Sequence, residues 1–433
     1  IRAKTAGGGK TERWVLRTGE ADLTIKSERE SKKVQPERID CVGVVELVSP
    51  EQKLLLRVNG LQVRLRDGVF EECEGEEFKF ESEKMTATGK KIVLTEKGNL
   101  LRLIGEVKGE LKGTGGKIEL ECEKVNVRFE EAEYKVVSLE AEEVRRCLVR
   151  KEKMENLDVL TESLFYNAVE ERLSFGEKDV QLVYGESKFS IKDLKIDMRR
   201  MEATGGRVTG VIDSKGLKGD VSAEKTRLSF AEDGLREADF EENVRFDTEG
   251  FSLESSRLDF DSPAQEVLIK DVKLASKADA LRVAARDCFV FLPLRRVEFE
   301  GSPKVSGTRG EKQKWWLEAE RMVVVYKETT SSKGRMQIES IDSLYAEKSV
   351  KAEIEEEKST GRLSCEKCVY LKESSKVSIM GAPAVIERGG AVLREKEFVY
   401  DLSKGVVESG GKDSGYDWEL DPLKLKEKKR KRE

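Results

Sequence analysis

Apolar and polar residues alternate along most of this chain, and this alternation constrains the fold more than any other feature. It is seen in segments such as KIELECEKVNVRF, KFSIKDLKIDM, FSLESSRLDFD and WWLEAERMVVVY. Side chains of a strand alternate between its two faces, so the pattern predicts strands with one buried side and one side in water. Helical periodicity of comparable strength is missing from the sequence, and an all-β fold is predicted.

The strands share a template that reads apolar, any, small or apolar, any, any, apolar, any, apolar. Copies begin at Leu56, Phe80, Leu120, Phe189, Val221, Leu253, Val283, Leu317, Leu363 and Leu393, with a poorer copy at Leu160. Their spacing clusters near roughly 30 residues, which identifies an internal repeat. A second apolar stretch such as READFEENVRFD lies between copies, and polar turns such as AEDG connect the two. The chain is therefore predicted to form about ten or eleven two-strand antiparallel units.

Within the template, the inward-facing positions change from odd to even residue numbers, which we call a break in parity. In LESSRLDF the apolar set changes from Leu253 and Ser255 to Leu258 and Phe260, and copies starting at Leu317 and Leu363 behave in the same way. A regular strand keeps one parity, so a bulge or corner is predicted at the intervening pair. Each strand would bend there and pass from one sheet to a facing sheet. The small residue in the third slot suits the crowded inside of that bend.

Three segments carry a resemblance to a known family: VSAEKTRLSFAEDGLREADFEENVRF, FSLESSRLDFDSPAQEVLIKDVKLAS and LSCEKCVYLKESSKVSIMGAPAVIERGGAVLREKEFVYDLSKGVVESGG. They resemble the organic-solvent-tolerance-like repeats of the periplasmic lipopolysaccharide-transport family. The resemblance spans roughly residues 50 to 410 and is strongest after residue 185. It implies an elongated antiparallel β-jellyroll, a folded-over V-shaped sheet whose apolar groove shields lipid acyl chains between two membranes.

The inward template slots supply the candidate lipid-binding residues. They are Ile191, Leu194, Ile196, Ala223, Leu228, Leu253, Leu258, Phe260, Val290, Met322, Val324, Tyr370, Phe398 and Tyr400. Two interpretations stay open for them. They line a groove that holds lipopolysaccharide or phospholipid, or they pack against each other as the closed core of a structural or surface repeat protein.

The resemblance also implies a location and partners. Lipopolysaccharide or a related lipid is the expected ligand, and inner- and outer-membrane transport components are the expected partners, with energy supplied by an ATP-powered complex and no cofactor of the chain's own. The chain begins at Ile1, so a removed signal peptide or anchor and a periplasmic location are expected. Sheet edges at both ends are predicted to allow end-to-end self-association.

Composition argues against several other functions. Histidine is absent, which removes the commonest general base and metal ligand. Lys and Arg total 80 against 85 Asp and Glu, with both signs interspersed, so no basic field for nucleic acid is expected. No carboxylate pair can be singled out among so many acids. We therefore expect neither an enzyme nor a metal protein.

Cysteines invite a redox or metal interpretation at CEKC, where Cys365 and Cys368 are closely spaced. Both fall in template slots, as do Cys122 and Cys288, so structural packing as small apolar residues is the favoured interpretation. A zinc site would need a second close pair, which the sequence lacks.

The predicted organisation has five parts. They are a lead-in over 1–50, jellyroll modules over 51–150 and 151–330, a third module or extension over 331–410, and a basic tail over 411–433. The tail ends in KEKKRKRE, which favours a solvated segment over a contact with anionic lipid head groups or an acidic partner.

Overall fold

A computed structural model gives the architecture of the chain. It describes residues 2–3, 14–27, 34–49, 53–66, 69–95, 99–130, 135–176, 178–214, 217–277, 280–309, 313–330, 336–356, 359–401 and 406–409. Within these ranges the chain contains strands and turns but no helix, and its strand pairings are antiparallel. The all-β, antiparallel prediction is confirmed.

The first part of the chain contains β1 (Arg2–Ala3), β2 (Trp14–Arg17), β3 (Glu20–Ser27), β4 (Val34–Ser49), β5 (Leu54–Arg66), β6 (Val69–Glu81), β7 (Met85–Thr95), β8 (Leu100–Lys112), β9 (Lys117–Phe129), β10 (Val136–Arg150), β11 (Leu157–Leu160), β12 (Ser163–Asn167), β13 (Arg172–Phe175), β14 (Val180–Tyr184), β15 (Ser187–Ile191), β16 (Lys195–Asp197) and β17 (Glu202–Gly205). The rest contains β18 (Val208–Ser214), β19 (Leu217–Ala223), β20 (Lys225–Ala231), β21 (Gly234–Asp247), β22 (Phe251–Asp261), β23 (Glu266–Ser276), β24 (Arg282–Phe291), β25 (Arg296–Glu300), β26 (Lys304–Arg309), β27 (Gln313–Glu318), β28 (Arg321–Thr330), β29 (Met336–Glu356), β30 (Ser359–Leu371), β31 (Lys376–Arg388), β32 (Ala391–Asp401) and β33 (Val406–Ser409).

The chain divides into two compact units. Unit 1 comprises Ile1–Val208 and Arg227–Arg236, and unit 2 comprises Thr209–Thr226 and Glu237–Glu433. The finer module boundaries expected at residues 150 and 330 stay predictions. The basic tail over 411–433 lies outside the described residues.

Unit 1 begins as long strands that pair in sequence from β4 to β10. The sheet then divides, because residues 147–149 of β10 pair with β11 while residues 138–142 pair with β12. One branch continues through β14 and β15, and the other continues through β13, β16 and β17. We call the branch of β11, β14 and β15 the first layer of unit 1, and the branch of β12, β13, β16 and β17 the second layer. Strands β8, β9 and β10 contribute one half to each layer, according to the branch toward which that half pairs.

Unit 2 repeats this plan. Strands β21 to β24 pair in sequence, after which β24 pairs with both β25 and β26. The branches continue as β28 and β27 and join again on β29, from which β30 to β33 follow in order. Hairpins and corners thus carry each strand across the same line of bending, as the repeat predicts.

The predicted parity break coincides with that line, which we call the crease. Pairing registers shift there between Glu241 and Val244, between Glu347 and Val350, and between Ser364 and Lys367. Left-handed residues mark the first two of these shifts, with φ of 63° at Glu242 and 63° at Lys348. Such bulges bend a strand and change which side chains face inward. The third-slot residues beside the crease, Ser255, Ala319 and Cys365, are buried, as predicted.

The template copy starting at Leu160 was placed in the wrong register. Leu160 and Phe165 lie on the outer face with 48% and 42% of their surface exposed, whereas Val159, Leu164 and Tyr166 are buried. A shift of one residue moves a strand's whole apolar set to the opposite face. The corner between β11 and β12 is short, and its polar residues gave the sequence pattern no anchor for the register.

Candidate functional site

The predicted groove residues of unit 2 occupy the inner face of its sheet. Pairing places them on cross-strand rows, in which each strand contributes the residue directly opposite its neighbour's. Phe260 pairs with Val267, which pairs with Val290, while Leu258 pairs with Ile269. Leu253 pairs with Leu274 on the other side of the crease. Ala223, also in unit 2, is buried.

A row next to the crease is deeply buried. It consists of Cys288, Phe299, Met322, Ala346, Cys368, Ile379 and Phe398. We call it the floor row. Every member of it is buried, with Met322 and Ala346 at 0% exposure. Two predicted groove residues, Met322 and Phe398, therefore lie at the bottom of the inner face.

The next row away from the crease is only half-buried. It consists of Val290, Val297, Val324, Leu344, Tyr370, Val377 and Tyr400, and we call it the first lip row. Each of these side chains is partly exposed. The predicted groove residues Val290, Val324, Tyr370 and Tyr400 belong here. Their apolar surface faces inward without being fully covered by the rest of unit 2.

A matching row lies on the other side of the crease. It consists of Leu317, Ala352, Leu363, Ile386 and Leu393, and we call it the second lip row. These side chains are also partly exposed, whereas Val283 and Val305, earlier on the same line, are buried. Burial thus falls from the crease toward both lips over β24 to β32. We call this open inner face, the floor row with its two lip rows, the trough.

Trp315 extends the second lip row by one further position. It pairs with Gly307 on one side and with Ile354 on the other. A Cβ on Gly307 would lie only 2.8 Å from the Trp315 indole, so the glycine lets the ring lie across the neighbouring backbone. Trp315 is half-buried and Ile354 is exposed. The lip therefore ends in a large apolar surface.

Sequence reasoning missed most of the trough residues. Val297, Leu344 and Val377 lie in the apolar stretches between template copies, and only the copies themselves were used to choose candidates. Alternation in RRVEFEG and SKVSIMG carried the signal that could have found two of them.

The predicted groove residues of unit 1 are in a different environment. Ile191, Leu194, Ile196 and Leu228 all have 0% exposure. Tyr184 on the first layer meets Phe230 on β20, a strand that pairs with β17 of the second layer, with ring centroids 4.8 Å apart. The two layers therefore face each other across a closed apolar interior.

Small cavities remain between the two layers of unit 1. One of about 30 Å³ is lined by Leu47, Leu54, Leu56, Phe80, Ile92, Leu94, Leu101 and Phe129. Another of about 20 Å³ lies beneath Leu111, Ile118 and Leu164. Each has room for about one or two water molecules, far below the roughly 300 Å³ at which ligand pockets begin.

A separate cleft of about 470 Å³ lies over β6 to β10 of unit 1 and is lined mostly by polar side chains. Lys117, at its edge, places Nζ 3.0 Å from Glu110 Oε2 and 3.1 Å from Glu119 Oε1. The hydrogen bond from Lys117 lowers the pKa of the Glu110 carboxyl, although partial burial opposes it. Opposite charges largely neutralise one another here, and this cleft is not part of the trough.

All seven cysteines are buried and free of disulfides. Burial raises the pKa of the thiols of Cys73, Cys122, Cys147, Cys288 and Cys368 to about 12 and that of Cys365 to about 11, and it also raises the pKa of the Cys41 thiol. Thiols rather than thiolates are therefore present at neutral pH, which suppresses nucleophilic and metal-binding chemistry. A packing role agrees with the template slots of Cys122, Cys288, Cys365 and Cys368.

Two other features, metal-binding clusters and membrane-spanning helices, are absent from the described ranges. No group of His, Cys, Asp and Glu residues there has the arrangement needed to hold a metal ion. No helix in those ranges is long and apolar enough to cross a membrane.

Comparison with known proteins does not assign the chain to a family. No protein-family model matches the sequence, and no curated protein matches it either.

Proposed function

We propose that this protein binds the acyl chains of an amphipathic lipid along the trough of unit 2. The observation that carries the proposal is the pair of partly exposed apolar lip rows flanking a buried floor row. A closed core would bury the lips as well as the floor. Apolar surface left accessible on a concave inner face favours association with apolar ligands.

The chemistry of the rows suits acyl chains. The floor and lip rows contain aliphatic, aromatic and cysteine side chains and no charged residue. Binding to such a surface is non-directional and grows with the apolar area removed from water, at roughly 25 cal/mol per Å² before the costs of ordering the ligand. Charged residues face outward instead, as where Arg321 lies 2.5 Å from Glu298.

The resemblance of the repeats supports lipopolysaccharide as the lipid. On this proposal the chain works in the periplasm and shields acyl chains during transfer from the inner to the outer membrane. Its partners are membrane components of the same transport route, and the energy comes from one of them. Strand addition at the sheet edges is the means by which such partners or further copies would attach.

A second candidate is a structural β-repeat protein with a closed interior. The observation that favours it is the interior of unit 1, where the layers are in contact and the cavities measure about 30 and 20 Å³. The two candidates differ in unit 2. Only the lipid-binding function gives the half-buried lip rows a role beyond packing.

Substitution of Val324 by Asp tests the proposal. Val324 is half-buried in the first lip row, so the carboxylate would keep access to water in the free protein but would be covered by a bound acyl chain. We expect native mass spectrometry of the full chain to show at least about a tenfold loss of bound lipopolysaccharide. The midpoint of urea unfolding should change little.

The matched control is Val392→Asp, because Val392 lies on the outer side of β32 with 45% of its surface exposed. It should bind lipopolysaccharide as the unmodified protein does. Equal binding by all three proteins would contradict the proposal. Binding of phospholipid but not lipopolysaccharide, lost in Val324→Asp, would keep the trough and change its ligand.

A further inference from the structure

Unit 1 carries a set of contacts that join the outer ends of its two layers. The Glu171 carboxylate, in the turn between β12 and β13, is the centre of the set and is buried. It accepts hydrogen bonds from the Thr114 backbone N–H at 2.7 Å, the Thr114 hydroxyl at 2.7 Å and the Gly115 N–H at 3.0 Å. All of these donors lie in the turn between β8 and β9.

The two turns belong to opposite layers. Residues 117–120 of β9, which follow the turn at Thr114, pair with the part of β10 that continues into the first layer. The turn at Glu171 connects β12 to β13, which belong to the second layer.

The crease of unit 1 lies at the register shifts between Ile104 and Val107 and between Val144 and Arg146, and both turns lie at the strand ends farthest from it. The Glu171 carboxylate therefore links the outer ends of the two layers of unit 1. The corresponding rows of unit 2, the lip rows, are partly exposed.

Two more contacts reinforce the tie. Lys151 Nζ, at the end of β10, donates to the carbonyl oxygen of Arg199 at 3.2 Å, and Arg199 Nε lies 3.3 Å from Glu171 Oε2. Farther along, the Tyr184 hydroxyl donates to the carbonyl oxygen of Ala231 at 2.6 Å. We call Thr114, Gly115, Glu171, Arg199 and the Lys151 and Tyr184 contacts the clasp.

The turn at Thr114 is shaped for close approach. A Cβ on Gly115 would lie 2.6 Å from the Met198 carbonyl oxygen, so only glycine lets the turn approach the second layer so closely. On strands β11, β13 and β16 of the two layers, Leu157, Leu173 and Ile196 have 0% exposure. The clasp thus covers an apolar interior of the same chemistry as the trough.

We propose that the interior of unit 1 is a second compartment for acyl chains and that the clasp gates it. This inference rests on the proposed lipid-binding function. With cavities of about 30 and 20 Å³, the interior admits no acyl chain while the clasp is shut. Release of Glu171 from the turn at Thr114 frees the two lips to separate. A β-sheet folded along a crease can open there without losing the pairing within either layer.

The test combines two substitutions in the full chain. Val324→Asp suppresses binding at the trough, and Glu171→Ala is then added to release the clasp. The probe is cis-parinaric acid, a fluorescent fatty acid. We expect the double variant to bind it at least about tenfold more tightly than Val324→Asp alone. Exchange of the Thr114 and Gly115 amide hydrogens should also accelerate by about tenfold or more.

Glu170→Ala in the same background is the matched control, because Glu170 is exposed and its carboxylate pairs with the exposed Arg172 at 2.9 Å. It should bind no more probe than Val324→Asp alone. Tyr184→Phe removes a clasp hydroxyl without removing a charge and gives the same test if Glu171→Ala unfolds unit 1. Faster exchange without a gain in probe binding would overturn the inference, as would an equal gain in the Glu170 variant. Failure of the proposed function is distinguishable, because Val324→Asp would then bind the probe as the unmodified protein does.

Discussion

At the scale of single residues, Glu171 is the side chain whose charge depends most clearly on its neighbours. Burial raises the pKa of its carboxyl, but hydrogen bonds from Thr114, from Arg199 and from the Gly115 amide outweigh burial and hold the pKa below its usual value. The charged group facing it is the Arg199 guanidinium, 3.3 Å away, whereas the Tyr166 phenol, whose pKa burial raises to about 12, is uncharged at neutral pH. A carboxylate with a lowered folded pKa stabilises the folded state above its unfolded pKa, and this stabilisation is lost as the pH falls through the folded pKa.

We therefore predict that Glu171→Gln lowers the free energy of unfolding by about 1 to 2 kcal/mol at neutral pH. The difference from the unmodified protein should shrink as the pH falls below the ordinary range of glutamate. Urea unfolding at a series of pH values measures this. Glu170→Gln, on the exposed side of the same turn, should show no such dependence, and a constant difference at every pH would contradict a charged Glu171.

Single residues also show what sequence could and could not predict. The inward orientation of Met322, Val324 and Tyr370 followed from their template slots. Their different degrees of burial did not, because exposure depends on how closely the facing half approaches. Glu171 was missed because Thr114 lies 57 positions away, and the glycine-rich KGTGGK turn was its only local signal.

At the scale of the strands, the bend of each strand lies at the crease. Strands β22, β24 and β30 change parity there, with the small residues Ser255, Ala285 and Cys365 beside the break, whereas β21 and β29 keep their parity through an extra residue at the crease. A regular strand with a large residue at that position would either stay straight or force the facing halves apart. The parity break was visible in the sequence, so the bend could be predicted for each strand. The division into branches at β10 and β24 could not, since it depends on pairing partners.

Ala319, which has 3% exposure between β27 and β28, tests the role of the small residue. We predict that Ala319→Leu lowers the free energy of unfolding by about 1 to 3 kcal/mol, because a tightly packed bend has no room for the added methyl groups. Urea unfolding measures the loss. Ala391→Leu, at an exposed position of β32, is the control and should change stability by less than about 0.5 kcal/mol. Equal effects of the two would show that the crease is not crowded.

The whole molecule combines two units built on the same plan with different degrees of closure. In unit 1 the layers meet and the clasp joins their ends, whereas in unit 2 the inner face is partly open at both lips. The repeat predicted the common plan, because every copy carries the same inward slots. It could not predict the difference, since the slots of Ile191 and Tyr370 are equally apolar yet only Tyr370 is partly exposed.

Photo-crosslinking to lipopolysaccharide tests the central claim most directly. Benzoylphenylalanine would replace Tyr370 in the first lip row and, as a control, Phe165, an aromatic residue exposed on the outer face of unit 1. The account predicts lipid adducts after irradiation at position 370 and none above background at position 165. Equal adducts at the two positions, or none at position 370 with lipopolysaccharide in excess, would contradict a lipid-binding trough.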